Sequence, residues 1–251
     1  MSPIAISALV FASVFGGALA GIALRASLPE HHLSSESKEV IKLSMGLVAT
    51  MTALVLGLLV ASAKESYDTQ DKELTEMASR FVMVDRLLAR YGPETKDARD
   101  LMRVAVTGAV GRLDNPDSAR ALERTTPTPS MEVVSDRILT LEPKDDRQRE
   151  LKFQATEITK KISEARWLMF EQRAGSFSKP FLYIVACWIT LTFMSFGLFA
   201  KPNPTATSAL FVAAFSVSTA IFLILEMYAP YSGLIRISIA PLRAALAHLG
   251  Q

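Results

Sequence analysis

Residues 43–63 read LSMGLVATMTALVLGLLVASA, an apolar run that contains no charged side chain. A helix of about 20 apolar residues crosses the ~30 Å hydrocarbon core of a bilayer. Three similar runs lie at residues 4–24, 180–200 and 208–228. Because backbone polar groups in lipid must be satisfied within their own segment, each run is expected to be a helix. The sequence therefore predicts an all-α integral membrane protein with four transmembrane helices.

The four runs lie in two pairs, on either side of a long charge-rich segment. We expect transmembrane helices 1 and 2 in residues 1–63, a cytoplasmic helical domain in 64–179, transmembrane helices 3 and 4 in 180–230, and an amphipathic cytoplasmic tail in 231–251. From Gly233 to Arg243 this tail alternates apolar and polar residues. It is expected either to lie on the membrane surface or to pack back against the helical domain.

Helical periodicity continues beyond the second run into the polar segment. Apolar residues at spacings of three and four predict one face of a long helix; they are Leu74, Met77, Phe81, Val84, Leu88 and Tyr91. Gly92-Pro93 should end this helix, and Asp114-Asn115-Pro116 should end the next. We expect further helices at residues 94–113, 131–141 and 145–177, the last leading directly into the third run. The apolar faces of this bundle pack internally or, in part, against neighbouring subunits.

Composition and motifs argue against several classes of function. The 27 basic and 25 acidic residues give a net charge of +2, so no broad basic field indicates nucleic-acid binding. The chain contains no HExxH, CxxC, GxSxG or phosphate-binding glycine loop, so we expect neither enzymatic activity nor a cofactor. The single cysteine, Cys187, lies in the third run and is expected to be a small buried apolar residue.

Two features near the amino terminus have alternative interpretations. Glu30-His31-His32 combines groups that bind metals, but adjacent residues rarely converge on one ion. A solvated turn is therefore favoured, and no metal site is expected. Ala18-Leu19-Ala20 resembles a signal-peptide cleavage site, but residues 1–7 lack basic side chains and the apolar run is long. We therefore expect a retained helix.

Basic residues near the ends of the runs predict the orientation. Four spans place both termini and the middle segment on one side of the membrane. That side carries Lys64, Lys72, Arg80, Arg166, Arg173, Lys179, Arg236 and Arg243, and the other carries Arg25, Lys38, Lys42 and Lys201. By the positive-inside rule, a multi-pass protein of the bacterial inner (plasma) membrane is expected, with both termini and the middle domain cytoplasmic.

The second run is the most patterned of the four. Small residues recur on one helix face at spacings of three and four; they are Gly46, Ala49, Ala53, Gly57 and Ala61. Because small residues let transmembrane backbones approach closely, this stripe predicts a tight helix contact within or between subunits. Together with Thr50 and Leu54, these residues are also our candidates for pore lining. The hydroxyls of Thr50 and Thr52 either face a water path or bond back to the helix backbone.

Glu226 is the one acidic residue inside the fourth run. A carboxylate at that depth is costly unless it is paired, hydrated or close to the interface. One interpretation is an interfacial residue near Pro230, with Tyr228 and Tyr231 at the headgroup level. The other is a carboxylate that contacts ions or takes part in gating.

Several stretches resemble a bacterial membrane family described as bestrophin-like. They are LPEHHL at 28–33, ASAK at 61–64, RWLMFEQ at 166–172, SFGLF at 195–199, and LEM at 225–227 followed by SGLI at 232–235. The similarity extends over nearly the whole chain. Bestrophins are pentameric ion channels with four spans, cytoplasmic termini and a helical cytoplasmic part between the second and third spans. The resemblance therefore implies the same plan here.

The resemblance also implies a mechanism, in which the second helices of several subunits surround a pore that is gated by dewetting. The expected partners are then the lipid bilayer, ions and further copies of the chain. If the protein is bestrophin-like, these copies form a pentamer. Bestrophin necks contain aromatic residues, whereas residues 43–63 contain none, and the calcium-binding acidic cluster of animal bestrophins has no evident match. No structural calcium is expected. The alternative function is a non-conducting membrane scaffold or sensor whose helical bundle recruits a partner protein.

Overall fold

The computed structural model describes residues 2–27, 35–114, 130–174, 179–200, 203–231 and 233–250. Eight α-helices and one short 3₁₀ turn make up most of this part of the chain, and no strand occurs in it. Four of the helices contain segments long and apolar enough to cross a bilayer. The predicted all-α membrane architecture is therefore confirmed.

The helices are numbered in chain order. They are α1 (Pro3–Ser27), α2 (Ser35–Tyr91), α3 (Lys96–Asp114), α4 (Met131–Leu139), α5 (Asp146–Ala174), α6 (Lys179–Phe199), α7 (Pro204–Met227) and α8 (Ala240–His248). The four apolar segments lie in α1, α2, α6 and α7.

Helix α2 runs without interruption from its apolar part into the polar part of the chain. It ends where predicted, because Gly92 adopts φ 144°, a conformation that side-chain-bearing residues rarely take. A 3₁₀ turn, Pro93–Thr95, follows. The Thr95 hydroxyl lies within hydrogen-bond distance of the carbonyl oxygens of Leu88 (2.7 Å) and Gly92 (2.8 Å), which fixes the reversal.

Other boundaries differ from the predicted ones. Helix α7 begins at Pro204, four residues before the predicted span, because the Asn203 side chain accepts a hydrogen bond from the Thr205 amide (3.1 Å) and Pro204 occupies the first turn. Helix α4 ends at Leu139 instead of at residue 141. The predicted break at 115–116 and the predicted direct passage from α5 into α6 at 175–178 fall outside the described residues.

The chain divides into two compact units. The membrane unit comprises Met1–Tyr67 and Phe177–Arg236 and thus contains α1, the first part of α2, α6 and α7. Its core is formed by side chains from α1, α6 and α7; they include Val10, Val14, Ala18, Val185, Ile189, Phe193, Ala214 and Ile221. Side chains of α2 pack against the margin of this core and are only partly buried.

The polar unit comprises Asp68–Ser176 and Ile237–Gln251 and has a separate core. Asp85 is buried there and accepts hydrogen bonds from Arg99 Nε (2.8 Å), Arg99 Nη2 (3.0 Å) and the Gly250 amide (3.2 Å). The bond to Asp85 raises the pKa of the Arg99 guanidinium. Helix α8 packs on α3, buries Leu242 and Ala245, and brings Arg243 within 2.7 Å of Asp114.

Candidate functional site in the membrane spans

A close helix contact in the membrane unit joins α1 and α6 through glycines. A Cβ atom added to Gly21 would collide with the carbonyl oxygen of Met194, and one added to Gly197 would collide with that of Ala18. At Gly17 an added Cβ would lie 2.9 Å from Cγ2 of Thr190. Only glycine fits at Gly21 and Gly197, because the obstructing atoms belong to the facing backbone.

Polar groups reinforce this contact at two levels. The hydroxyl oxygens of Ser13 and Thr190 lie 3.1 Å apart and share a hydrogen bond. Near the other end of α1, Arg25 Nη1 donates to the carbonyl oxygens of Phe199 (3.1 Å) and Ala200 (2.8 Å). The last carbonyls of a helix have no partner within it, so Arg25 caps α6.

Sequence reasoning missed the α1–α6 contact, although a signal for it was present. Gly17 and Gly21 are separated by three residues, the spacing of the small-xxx-small pattern of transmembrane helix pairs. The same reasoning singled out the small-residue stripe of α2, whose environment is different.

The α2 stripe faces away from the rest of the described chain. Its members are exposed except for Ala49, which is half-buried; they are Gly46, Ala49, Thr50, Ala53, Gly57 and Ala61. A Cβ added to Gly46 or Gly57 would meet nothing within 4 Å. The neighbouring Leu54 is 71% exposed.

The opposite side of α2 packs against the membrane unit. Thr52 and Ala63 are buried, and Val55, Leu56 and Leu59 rest on the core. Positions 52, 55, 59 and 63 recur at spacings of three and four and form one face, roughly opposite the small stripe on a helix of 3.6 residues per turn. Within a single chain, the small stripe is therefore an outer surface.

Helix α2 contributes less to packing inside the chain than the other three spans do. Of its most apolar window only 6% is buried, compared with 33% for α1, 39% for α6 and 22% for α7. A span that is so little buried by its own subunit is available to lipid, to further copies of the chain, or to a water-filled path.

The threonine hydroxyls of α2 bond back to the helix. Thr50 Oγ1 donates to the Gly46 carbonyl (2.9 Å) and Thr52 Oγ1 to the Val48 carbonyl (2.7 Å). The sequence left two alternatives for these hydroxyls, a water path or a bond to their own helix, and the structure shows the bond to the helix backbone. Thr50 nevertheless lies on the exposed stripe, where its oxygen keeps accepting capacity.

Glu226 is buried at the end of α7, with 1% of its surface exposed. Its Oε2 atom accepts hydrogen bonds from the backbone amides of Leu234 (2.5 Å) and Ile235 (3.1 Å). A cavity of about 470 Å³ adjoins the carboxylate and is lined by Ser2, Pro3, Ile4, Glu226, Gly233 and Leu234. The carboxylate thus binds the segment that follows α7, a role that the sequence did not indicate.

Two other predictions concern side chains outside these contacts. Cys187 is exposed, so the prediction that it is buried was wrong. Glu30, His31 and His32 lie outside the described residues. In the part of the chain that the structure describes, no group of three histidine, cysteine or acidic side chains is placed to hold a metal ion.

Comparison with known protein families matches residues 12–242 to the Bestrophin-like domain. The match begins within α1 and ends near the start of α8, so it includes the larger part of the first span, the other three spans and most of the polar unit. No curated protein and no solved structure matches the chain.

Proposed function

The chain belongs to the bestrophin-like family, and from that premise we propose that it is a homo-oligomeric ion channel whose pore is lined by α2 of several copies. The membrane would be the bacterial inner membrane, with both termini and the polar unit in the cytoplasm. This orientation follows from the excess of basic residues on that side of the spans.

The observation that supports the proposal is the outer surface of α2. A long span that is 6% buried by its own subunit, with its small residues turned outward, fits a helix that meets copies of itself around an axis. Close approach of these helices requires a face without bulky side chains, and Gly46, Ala53 and Gly57 provide one. A ring of such helices encloses a passage along the stripe.

The chemistry of such a passage is apolar. No charged side chain lies between residues 43 and 63, so fixed charge does not select the ion inside this stretch. An apolar passage conducts when it is wide enough to hold water and closes when it dries. Leu54 lies beside the stripe and is 71% exposed, so it is available to a neighbouring copy and we assign the narrowest point to it.

Oligomeric mass and ion flux test this proposal together. The full-length protein is purified in detergent, its mass is measured by light scattering, and flux is measured after reconstitution into vesicles. A closed ring and measurable flux are expected, and Leu54→Ala should raise the flux several-fold by widening the passage. The matched control is Leu9→Ala, since Leu9 is a similarly exposed leucine on α1 (61%) and should leave flux within about twofold. A monomer without flux would overturn the proposal.

A second candidate is a non-conducting scaffold or sensor that recruits a partner protein. It is favoured by large apolar side chains exposed on the polar unit, Val133 on α4 and Phe153 and Trp167 on α5. Exposed apolar surface of this kind marks protein contacts. In this case the reconstituted protein carries no flux, and Phe153→Asp removes binding of the partner without changing the oligomeric mass. In the channel, by contrast, the same substitution weakens the ring.

A further inference from the structure

The buried carboxylate of Glu226 binds a short segment that lies a few residues after α7, residues 233–236. Two backbone amides of this segment, those of Leu234 and Ile235, donate to one oxygen of Glu226. A site shielded from water strengthens such hydrogen bonds. The segment is thus tied to the end of α7 and does not simply follow it.

Gly233 is required for this arrangement on two grounds. Its φ of 104° is a conformation that residues with a side chain rarely adopt. In addition, a Cβ atom at this position would overlap the Glu226 carboxylate. Arg236 Nε donates to the Gly233 carbonyl (2.9 Å), which closes the segment on itself.

The same segment, together with the residue that follows α7, contacts α2 at the end of its apolar run and just beyond it. Tyr67, in the polar continuation of the helix, donates its hydroxyl to the Arg236 carbonyl (3.2 Å). The hydroxyls of Ser62 and Tyr228 lie 3.2 Å apart and share a hydrogen bond. Both contacts lie within the membrane unit, and they bind α2 at two residues, Ser62 and Tyr67.

We propose that residues 233–236 form a clamp, set by Glu226, that fixes the end of the membrane-spanning part of α2. Only 6% of the apolar window of α2 is buried by the rest of the chain. Polar contacts at the end of this window therefore do much to fix the position of the helix. Glu226 is accordingly a positioning residue for α2. That this placement controls conduction rests on the proposed function; the clamp itself does not.

Hydrogen–deuterium exchange of the full-length protein in detergent tests the clamp without any assumption about conduction. In Glu226→Ala, exchange of the Leu234 and Ile235 amides should rise about tenfold or more, since each loses its hydrogen-bond acceptor. The amides of residues 62–67 should exchange several-fold faster as well. Gly233→Ala should reproduce both effects, because its Cβ displaces the carboxylate. Glu226→Gln, which keeps an acceptor oxygen, should fall between the wild type and Glu226→Ala.

A milder substitution separates the two halves of the clamp. Tyr67→Phe removes only the hydroxyl that donates to Arg236, so it should speed exchange at residues 62–67 and leave Leu234 and Ile235 unchanged. Gly16→Ala is the matched control for Gly233→Ala, since a Cβ at Gly16 meets nothing within 4 Å. Residues 62–67 that exchange at the wild-type rate in Glu226→Ala would overturn the clamp, even if the segment itself loosens.

Ion flux in vesicles then tests the role of the clamp in conduction. Glu226→Ala and Gly233→Ala should shift flux in the same direction, by about threefold or more, with Gly16→Ala close to wild type. Flux that stays at the wild-type level in both clamp variants would overturn positioning of the pore by Glu226. If the wild type carries no flux, the proposed function fails, and the exchange result alone decides whether the clamp exists.

Discussion

Helices α1 and α2 both carry small residues at spacings of three or four, yet α1 buries them against α6 and α2 turns them outward. At Gly21 the space for a side chain is occupied by the backbone of Met194, whereas at Gly57 nothing lies within 4 Å. Small residues thus permit close approach without selecting a partner. Between helices in lipid no hydrophobic driving force chooses the neighbour, so packing and hydrogen bonds decide which permitted contact forms.

Substitution at the buried glycine should have the largest effect. Gly21→Leu forces a side chain into the facing backbone, which cannot rotate away, and should cost about 3 kcal/mol of stability. Thermal unfolding in detergent, followed by circular dichroism, measures this loss. An unchanged midpoint would mean that α1 and α6 do not meet at Gly21, and the comparison between the two helices would lose its basis.

The matching substitution on α2 should spare the fold and affect function. Gly57→Leu places its side chain on an open surface, so stability of the subunit should change by less than about 0.5 kcal/mol. In a ring of α2 helices, however, the added side chain fills the passage, and flux should fall about tenfold. The same unfolding and vesicle measurements apply. A variant as unstable as Gly21→Leu, but with the oligomeric mass of the wild type, would show that Gly57 contacts something within its own subunit.

Hydroxyl groups extend the comparison to polar contacts. Ser13→Ala removes a hydrogen bond between two helices, and should cost about 0.6 kcal/mol, the average for such bonds in membrane proteins. Thr50→Ala removes only a bond of a hydroxyl to its own helix and should have a smaller effect. Both are measured by unfolding in detergent. Equal costs for the two substitutions would contradict the assignment of the Ser13–Thr190 bond.

The smallest effect is expected next to the buried glycines. Gly16 adjoins Gly17 in the sequence, but it faces outward and a Cβ there is unobstructed. Gly16→Ala should therefore change the free energy of unfolding by less than about 0.5 kcal/mol, and any change should be stabilising. A loss of stability approaching that of Gly21→Leu would show that the contact surface of α1 is wider than the structure has it.

Elements governed by length and local chemistry were predictable. The four apolar runs were found because a bilayer demands a minimum length of uncharged helix. The end of α2 was found because Pro93 lacks the amide that a helix interior needs and disfavours a helical conformation at Gly92. The start of α7 was missed by four residues, since its cap depends on the Asn203 side chain, which a hydropathy criterion ignores.

The candidate site was less predictable. Cys187 is exposed on α6 and Glu226 binds two amides eight and nine residues further along the chain, and neither placement is encoded in local pattern. The glycines at 17 and 21 did have a local signal, but the same signal occurs in α2 with a different outcome. A pattern of small residues describes one helix face. Which other helix packs against that face depends on residues elsewhere in the chain, so the pattern does not predict the partner.

By itself, the sequence determined that this protein lies in a membrane, spans it four times as helices, and continues its second span into a polar helical segment. Each of these follows from the solvation of a local stretch of chain, which no other part of the molecule can alter. The tertiary structure decided that α1 pairs with α6, that the small face of α2 is left outward, and that Glu226 holds the segment after α7. Those outcomes depend on which backbone atoms face one another across helices, and that is fixed only when the whole membrane unit packs.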